Sequence, residues 1–224
     1  MPTTRSQARA APRARRVSRS TTIKKHQKTV NKRKAEQNTP SKDSILINRA
    51  PVLTLWAAVV AEREGFSFQE GLTYGRWVSG MLAQSKGRSL GIYEAREKTE
   101  AEKEARKRRD EQLGVHRIDT FGMHVPVVKV AGGENHAVSE GKPIDPGSVY
   151  SYLLKAFKGD ESTLNAVKEA MQALAESIPK EQLEAGKRTY NLYEQFRPEW
   201  KGWGGKGHLD LDLIRNLAGS EGNE

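Results

Sequence analysis

One stretch of this chain cannot lie on a surface. Residues 49–65 read RAPVLTLWAAVVAEREG, and Val52, Leu53, Leu55, Trp56, Val59 and Val60 go most of the way round a helix. A helix that is apolar on nearly every side is stable only when other elements surround it. Pro51 stands where a first helical turn tolerates proline, and Gly65 where a helix stops. The chain must therefore supply enough further structure to coat this segment.

The rest of the body reads as that coat. In SFQEGLTYGRWVSGMLAQSKG, Ser67 and Glu70 match a capping box, so a second helix starts there and ends near Gly87. Gly71 and Gly75 lie one turn apart and lower helix propensity, which points to close approach by the first helix. Asp145 and Pro146 open a later helix, expected to run to about Lys158. Leu164, Val167, Met171, Leu174 and Ile178 follow 3-4-3-4 spacing, a core stripe. Pro179 is expected to start one helix carrying Leu183, Tyr190, Tyr193 and Phe196. A short last turn holds Leu213, Ile214 and Leu217. HVPVVKV, AGGEN and HAVSEGK suggest one small hairpin near 123–140, with Pro126 limiting it to an edge.

Residues 92–113 have a different character. Strong helix formers dominate, and Glu94–Lys98, Glu102–Arg106 and Glu104–Arg108 are favourable i,i+4 pairs. The apolar stripe is thin, limited to Ile92, Ala95, Thr99 and Leu113. This predicts a long, solvent-washed helix, able to pair weakly with a second copy or a partner protein.

Charge divides the chain more sharply than any turn does. Residues 1–43 hold 13 Lys and Arg against 2 Asp and Glu, a net +11, while the remainder holds 25 against 26. Hydrophobic residues make up 36% of the chain, below the globular norm of about 45–50% in which glycine is counted. High charge, low hydrophobicity, Pro12 and Pro40 predict a disordered tail over 1–44. The expected organisation is that tail, a single helical domain over 45–218 and a disordered end at 219–224. The fold class is mainly α, an α+β chain with one small hairpin: a compact helical domain preceded by a disordered basic N-terminal tail.

Two basic groups in the tail are the main functional signal. Arg13, Arg15, Arg16 and Arg19 form the first. Lys24, Lys25, Lys28, Lys32, Arg33 and Lys34 form the second. Such clusters serve as nuclear import signals or hold phosphates, by pairing flexible cations with acidic partners. A polyanion also gains from counterion release. Ser18, Ser20, Thr21 and Thr22 sit among these arginines, so phosphorylation there would cut the tail's charge. An Arg-, Ser- and Thr-rich start also fits a mitochondrial presequence, but Val17, Ile23 and Val30 are too sparse for an apolar face. No apolar run reaches a membrane span, and no h-region marks a secretory signal.

In the body, Arg76, Lys86, Arg88 and Lys206 are candidate phosphate or ligand contacts. Lys86 and Arg88 flank Gly87 in QSKGRSLG, where complementing a helix dipole is the plainer role. Lys206 belongs to EWKGWGGKGHLD, read as a glycine-rich loop with Trp200 and Trp203 pinned to the core. It is not a P-loop, because Gly207 follows the lysine. The first two helices, joined by EGFS, have the outline of a helix–turn–helix, with Gln69, Thr73 and Arg76 as base readers. A packed hairpin explains them as well.

Little points to catalysis. There is no cysteine, which rules out a Cys nucleophile or Cys-ligated zinc. His116, His124 and His136 fall in the hairpin region but match no ligand motif. No cofactor or metal is expected. Glu62 and Glu64, near the buried helix, need partners, for which Arg63 and Arg76 are candidates.

Three function classes follow. The first is a nuclear, nucleic-acid-associated protein making sequence-independent contacts. The second is an enzyme or small-ligand protein, mitochondrial or cytoplasmic, with Glu62, Arg76, Lys86 and Arg88 converging in a pocket. The third is an interaction scaffold using the charged helix.

Overall fold

Strand β1 (Ser44–Asn48) leads directly into helix α1 (Arg49–Glu64), and the Asn48 side chain caps that helix by accepting from Ala50 N at 2.9 Å. The computed structural model describes residues 44–94, 96–184, 186–200 and 204–221. Residues 1–43 and 222–224 lie outside the described residues, whereas Ser44, expected in the disordered tail, opens β1. The described residues all fall in one compact unit, Ser41–Glu224.

Helix α1 sits in the core as its composition requires. Every residue from Pro51 to Ala61 is buried. Trp56 donates its indole N–H to Thr189 O at 3.0 Å and meets the edge of Phe196 at 5.5 Å. Gly65, at φ 110°, ends the helix. Helix α2 (Phe68–Ser89) then packs back along α1, opened by the Ser67–Glu70 capping box. The two glycines have the expected reason. A Cβ on Gly71 would stand 2.7 Å from Ala58 O, and one on Gly75 only 2.2 Å from Thr54 O. Thr54 Oγ1 and Ser79 Oγ bond across the same crossing at 2.9 Å.

Helix α3 (Glu100–Gln112) buries no residue. It begins eight residues later than the composition suggests. Thr99 and Glu102 form a capping box, and Gly91 at φ 67° turns the chain before it. Of the three expected ion pairs, Glu104–Arg108 forms, at 3.4 Å. Glu102 instead turns back to accept from Thr99 N and pairs with Arg96, while Arg106 reaches Asp110 at 3.5 Å. Ile92 and Leu113, half of the expected stripe, are exposed; Ala95 lies outside the described residues.

The expected hairpin is one part of a four-stranded antiparallel sheet. Its strands run in order: β2 (His116–Thr120), β3 (Met123–Lys129), β4 (Asn135–Ser139) and β5 (Lys142–Pro143). Two-residue turns at Phe121–Gly122 and Glu140–Gly141 join β2 to β3 and β4 to β5. All four residues have positive φ, which suits the strand twist. Val125 and Val127 face inward opposite Ile118, His116 and Ala137. Helix α2 satisfies the outer edge of β4: Asn135 N donates to Glu70 Oε1 at 2.8 Å and Ala137 N to Thr73 Oγ1 at 3.0 Å. A side chain at each point thus replaces a missing neighbouring strand.

Asp145 caps α4 (Pro146–Ala156), and Asp160 caps α5 (Glu161–Glu176). The α5 stripe of Leu164, Val167, Met171 and Leu174, with Ile178 beyond it, is buried. The helix expected after Pro179 is broken into α6 (Lys180–Glu184) and α7 (Lys187–Phe196). Gly186 causes the break. It has φ 65°, and a Cβ there would lie 2.2 Å from Gly122 Cα, so the tip of the β2–β3 hairpin fits against it. Strand β6 (Lys206–Asp210) pairs antiparallel with β1, and α8 (Leu211–Glu221) follows. Residues 219–221, expected to be disordered, belong to that helix.

Candidate nucleic-acid interface

The tail candidates Arg13, Arg15, Arg16, Arg19, Lys24, Lys25, Lys28, Lys32, Arg33 and Lys34 lie outside the described residues. Those of the body are all placed, and they do not gather. Arg76 is exposed on α2, with its guanidinium 4.9 Å from the centre of the Tyr152 ring. Lys86 and Arg88 are exposed in the last turn of the same helix. Arg76 and Lys86 are separated by about 15 Å along the axis at 1.5 Å per residue.

Gly87 offers no phosphate cradle. Helix α2 continues through it to Ser89, and its carbonyl accepts from Ile92 N at 2.9 Å. This end of a helix presents carbonyls and a partial negative charge, so Lys86 and Arg88 complement the dipole. Lys206 is exposed but opens strand β6 opposite Asn48. The expected loop is therefore partly a strand, and two of its glycines, Gly205 and Gly207, are packing sites. A Cβ on Gly207 would stand 2.2 Å from Glu199 O, and one on Gly205 would overlap the Trp200 indole. Trp200 itself is 52% exposed rather than pinned in the core. Trp203 lies outside the described residues.

The helix–turn–helix outline proves to be a packed hairpin. Thr73 is fully buried and bonded to β4, so it reaches no base edge. Glu70 occupies the first turn, and its carboxylate is bound on two sides. Burial alone would raise its pKa, yet the N–H groups of Asn135 and Ser67 hold it below the usual carboxylate value.

Nor do the second reading's residues converge. Glu62 accepts from Gln172 Nε2 at 2.9 Å and lies 3.6 Å from Lys168 Nζ, which also sits 3.5 Å from the centre of the Phe68 ring. Its partners come from α5 rather than from Arg63 or Arg76. His124 pairs with Asp119, and His136 lies 3.5 Å from Glu134. Among the described residues, no three His, Asp or Glu side chains form a metal-binding group. No helix among them is long and apolar enough to cross a membrane.

Cations do gather elsewhere, at a place the sequence reading did not single out. Lys98, Lys103, Arg106, Lys107 and Arg117 line one open cleft along α3 and the start of β2. Asp110 and Glu111 line it too, which leaves an excess of three positive charges among the lining residues, or two once Glu100, bound to Lys103, is counted. Lys103 is tied to Glu100 at 2.6 Å and Lys107 to Glu111 at 3.9 Å. Such exposed pairs are weak, so a phosphate can compete for these cations. Part of the signal is the adjacent pair Arg106 and Lys107. In the sequence these residues read as a solvated face or a weakly pairing helix rather than a cleft, because Arg117 comes from a strand that the sequence pattern does not reveal.

No protein-family model matches this chain, and neither does any curated protein or solved structure.

Proposed function

We propose that this protein binds nucleic acid in the nucleus by its phosphate backbone, without reading sequence. The observation that carries the reading is the charge division. Thirteen cations against two acids occupy residues 1–43, ahead of a body with 25 basic and 26 acidic residues. An arm of that kind displaces counterions wherever it meets a polyanion. The same arm supplies basic clusters of the type that import receptors bind. The α3–β2 cleft, with its excess of cations, supports the reading as a second and smaller contact. The burial of Thr73 and the capping role of Glu70 speak against base readout by α2.

Binding of labelled duplex DNA by the full chain, measured over a salt series, tests this. Each phosphate contact contributes about 0.9 to the slope of log K against log salt. Reversing Lys24, Lys25, Lys28, Lys32, Arg33 and Lys34 to glutamate should reduce that slope by as much as about 5. Reversing Lys98 and Arg117 should reduce it by up to about 2. A scrambled duplex should bind as well as any other. Affinity that ignores salt, or that survives the six tail reversals, sinks the proposal. A fluorescent fusion carrying the same tail reversals should lose nuclear accumulation; unchanged nuclear signal would remove the import role.

A further inference from the structure

Helix α3 has a face that no other described residue covers. Thirteen residues are near the lower limit for a helix standing alone in water. At one border of that face Arg109, still exposed, lies beside Gly141 of the β4–β5 turn, and beyond it Asp110 is half-buried toward the body. Toward solvent, Ala101, Glu104, Ala105, Arg108, Arg109 and Gln112 line an open groove of their own. At 100° per residue these six fall within a band of roughly 140°, on the side away from Arg106 and Asp110.

Their order matters. About a point midway between Arg106 and Lys107 the positions are symmetric: 101 mirrors 112, 104 mirrors 109, and 105 mirrors 108. The charges invert across that point, with Glu104 before it and Arg108 and Arg109 after it. A face with this pattern is complementary to a reversed copy of itself.

We infer that this face of α3 binds a second copy of the chain, the two helices running antiparallel about a two-fold axis between Arg106 and Lys107. Glu104 of one protomer then meets Arg109 of its partner, and the contact is made twice, as a two-fold interface requires. The Glu104 carboxylate already lies 3.4 Å from Arg108 Nε of its own helix and has lone pairs to spare for a second guanidinium. Ala105 leaves room for the long side chain of Arg108 across the axis. A parallel pair would instead set Glu104 against Glu104 and Arg109 against Arg109. Charge thus selects the antiparallel pair. The contact is small and exposed, so it is weak and loosens with salt. Its use would be avidity, since two chains on one polyanion raise each other's local concentration.

Sedimentation of the full chain, without nucleic acid, reads this independently of DNA binding. Dimer should accumulate with protein concentration and dissociate on adding salt. E104R should weaken dimerisation about tenfold, a loss of about 1.4 kcal/mol. R109E should do the same, and E104R/R109E should restore it by reversing both partners of each pair. Because the chain has no cysteine, orientation can be read directly. Mixed A101C and Q112C chains should join by a disulfide, whereas either alone should stay unlinked. Monomer at every concentration, A101C linking to itself as readily as to Q112C, or a charge swap that fails to restore would each overturn the inference.

Discussion

Helices α1 and α3 come from the same chain and are held together by opposite means. In α1, eleven consecutive residues are buried and no acid occupies the first turn; packing does the work. In α3 no residue is buried, and a capping box with a ladder of ion pairs stands in for packing. Core burial of a large side chain is worth several kcal/mol, an exposed ion pair a few tenths. A change in α1 should therefore register in the stability of the whole body. A change in α3 should register in local order and in what the helix binds.

The sharpest way to break this contrast is at Trp56. Trp56→Ala removes a fully buried ring and its bond to Thr189 O, and should cost about 3–5 kcal/mol in urea unfolding. A loss below about 1 kcal/mol would mean that α1 is not the packing centre. Next comes Glu70→Ala, which removes both the capping box and the bond to β4, with an expected loss of about 2 kcal/mol. The Glu70 pKa is lowered in the fold, so its contribution is complete above the ordinary carboxylate range. That contribution fades as pH falls through the lower, folded value. Glu70→Gln should accordingly flatten the acid limb of the stability curve, and an unaltered limb would remove this carboxylate from the account.

The glycines of α2 give a comparison within one helix. Gly75→Ala drives a Cβ into Thr54 O and should cost about 1–3 kcal/mol. Gly80 has nothing within 4 Å of its would-be Cβ, so Gly80→Ala should stabilise by about 0.5–1 kcal/mol. Equal effects at the two sites would sink the close-approach argument. Smallest of all should be Thr99→Ala. It removes the α3 cap, typically worth about 1 kcal/mol to a helix. The urea midpoint should nonetheless hardly move, while amide exchange in residues 100–112 accelerates. A full cap-sized loss of global stability would show that α3 is packed after all.

What the sequence revealed follows the same division. Features governed by neighbours a turn away were legible: the Ser67–Glu70 box, the Asp145–Pro146 start, the stripe from Leu164 to Ile178. So was the Gly71–Gly75 contact, because two glycines in one helix face demand a reason. Features made by distant partners were not. Ser44–Asn48 and Lys206–Asp210 are each too short to declare themselves as strands, and only their pairing makes them so. Gly186 breaks a helix because a hairpin tip from residue 122 occupies the space for its Cβ. The start of α3 was a different kind of miss, since Thr99 and Glu102 carried the capping signal openly and strong helix formers on either side masked it. The candidate site divides likewise. The tail clusters could be read directly, but the cleft required Arg117 to arrive from β2 beside Arg106 and Lys107.

The β1–β6 pairing has a consequence in time. Strand β1 is made early and has no partner until residue 210 has left the ribosome. Helix α1 follows β1 at once, yet α5, which packs on it, and Thr189, which receives the Trp56 N–H, come more than a hundred residues later. Long-range closure of this kind is slow, and exposed apolar surface during the delay invites aggregation. A nascent chain halted before residue 160 would hold out, half uncovered, the helix whose eleven consecutive residues the finished fold buries, the kind of surface on which chaperones act.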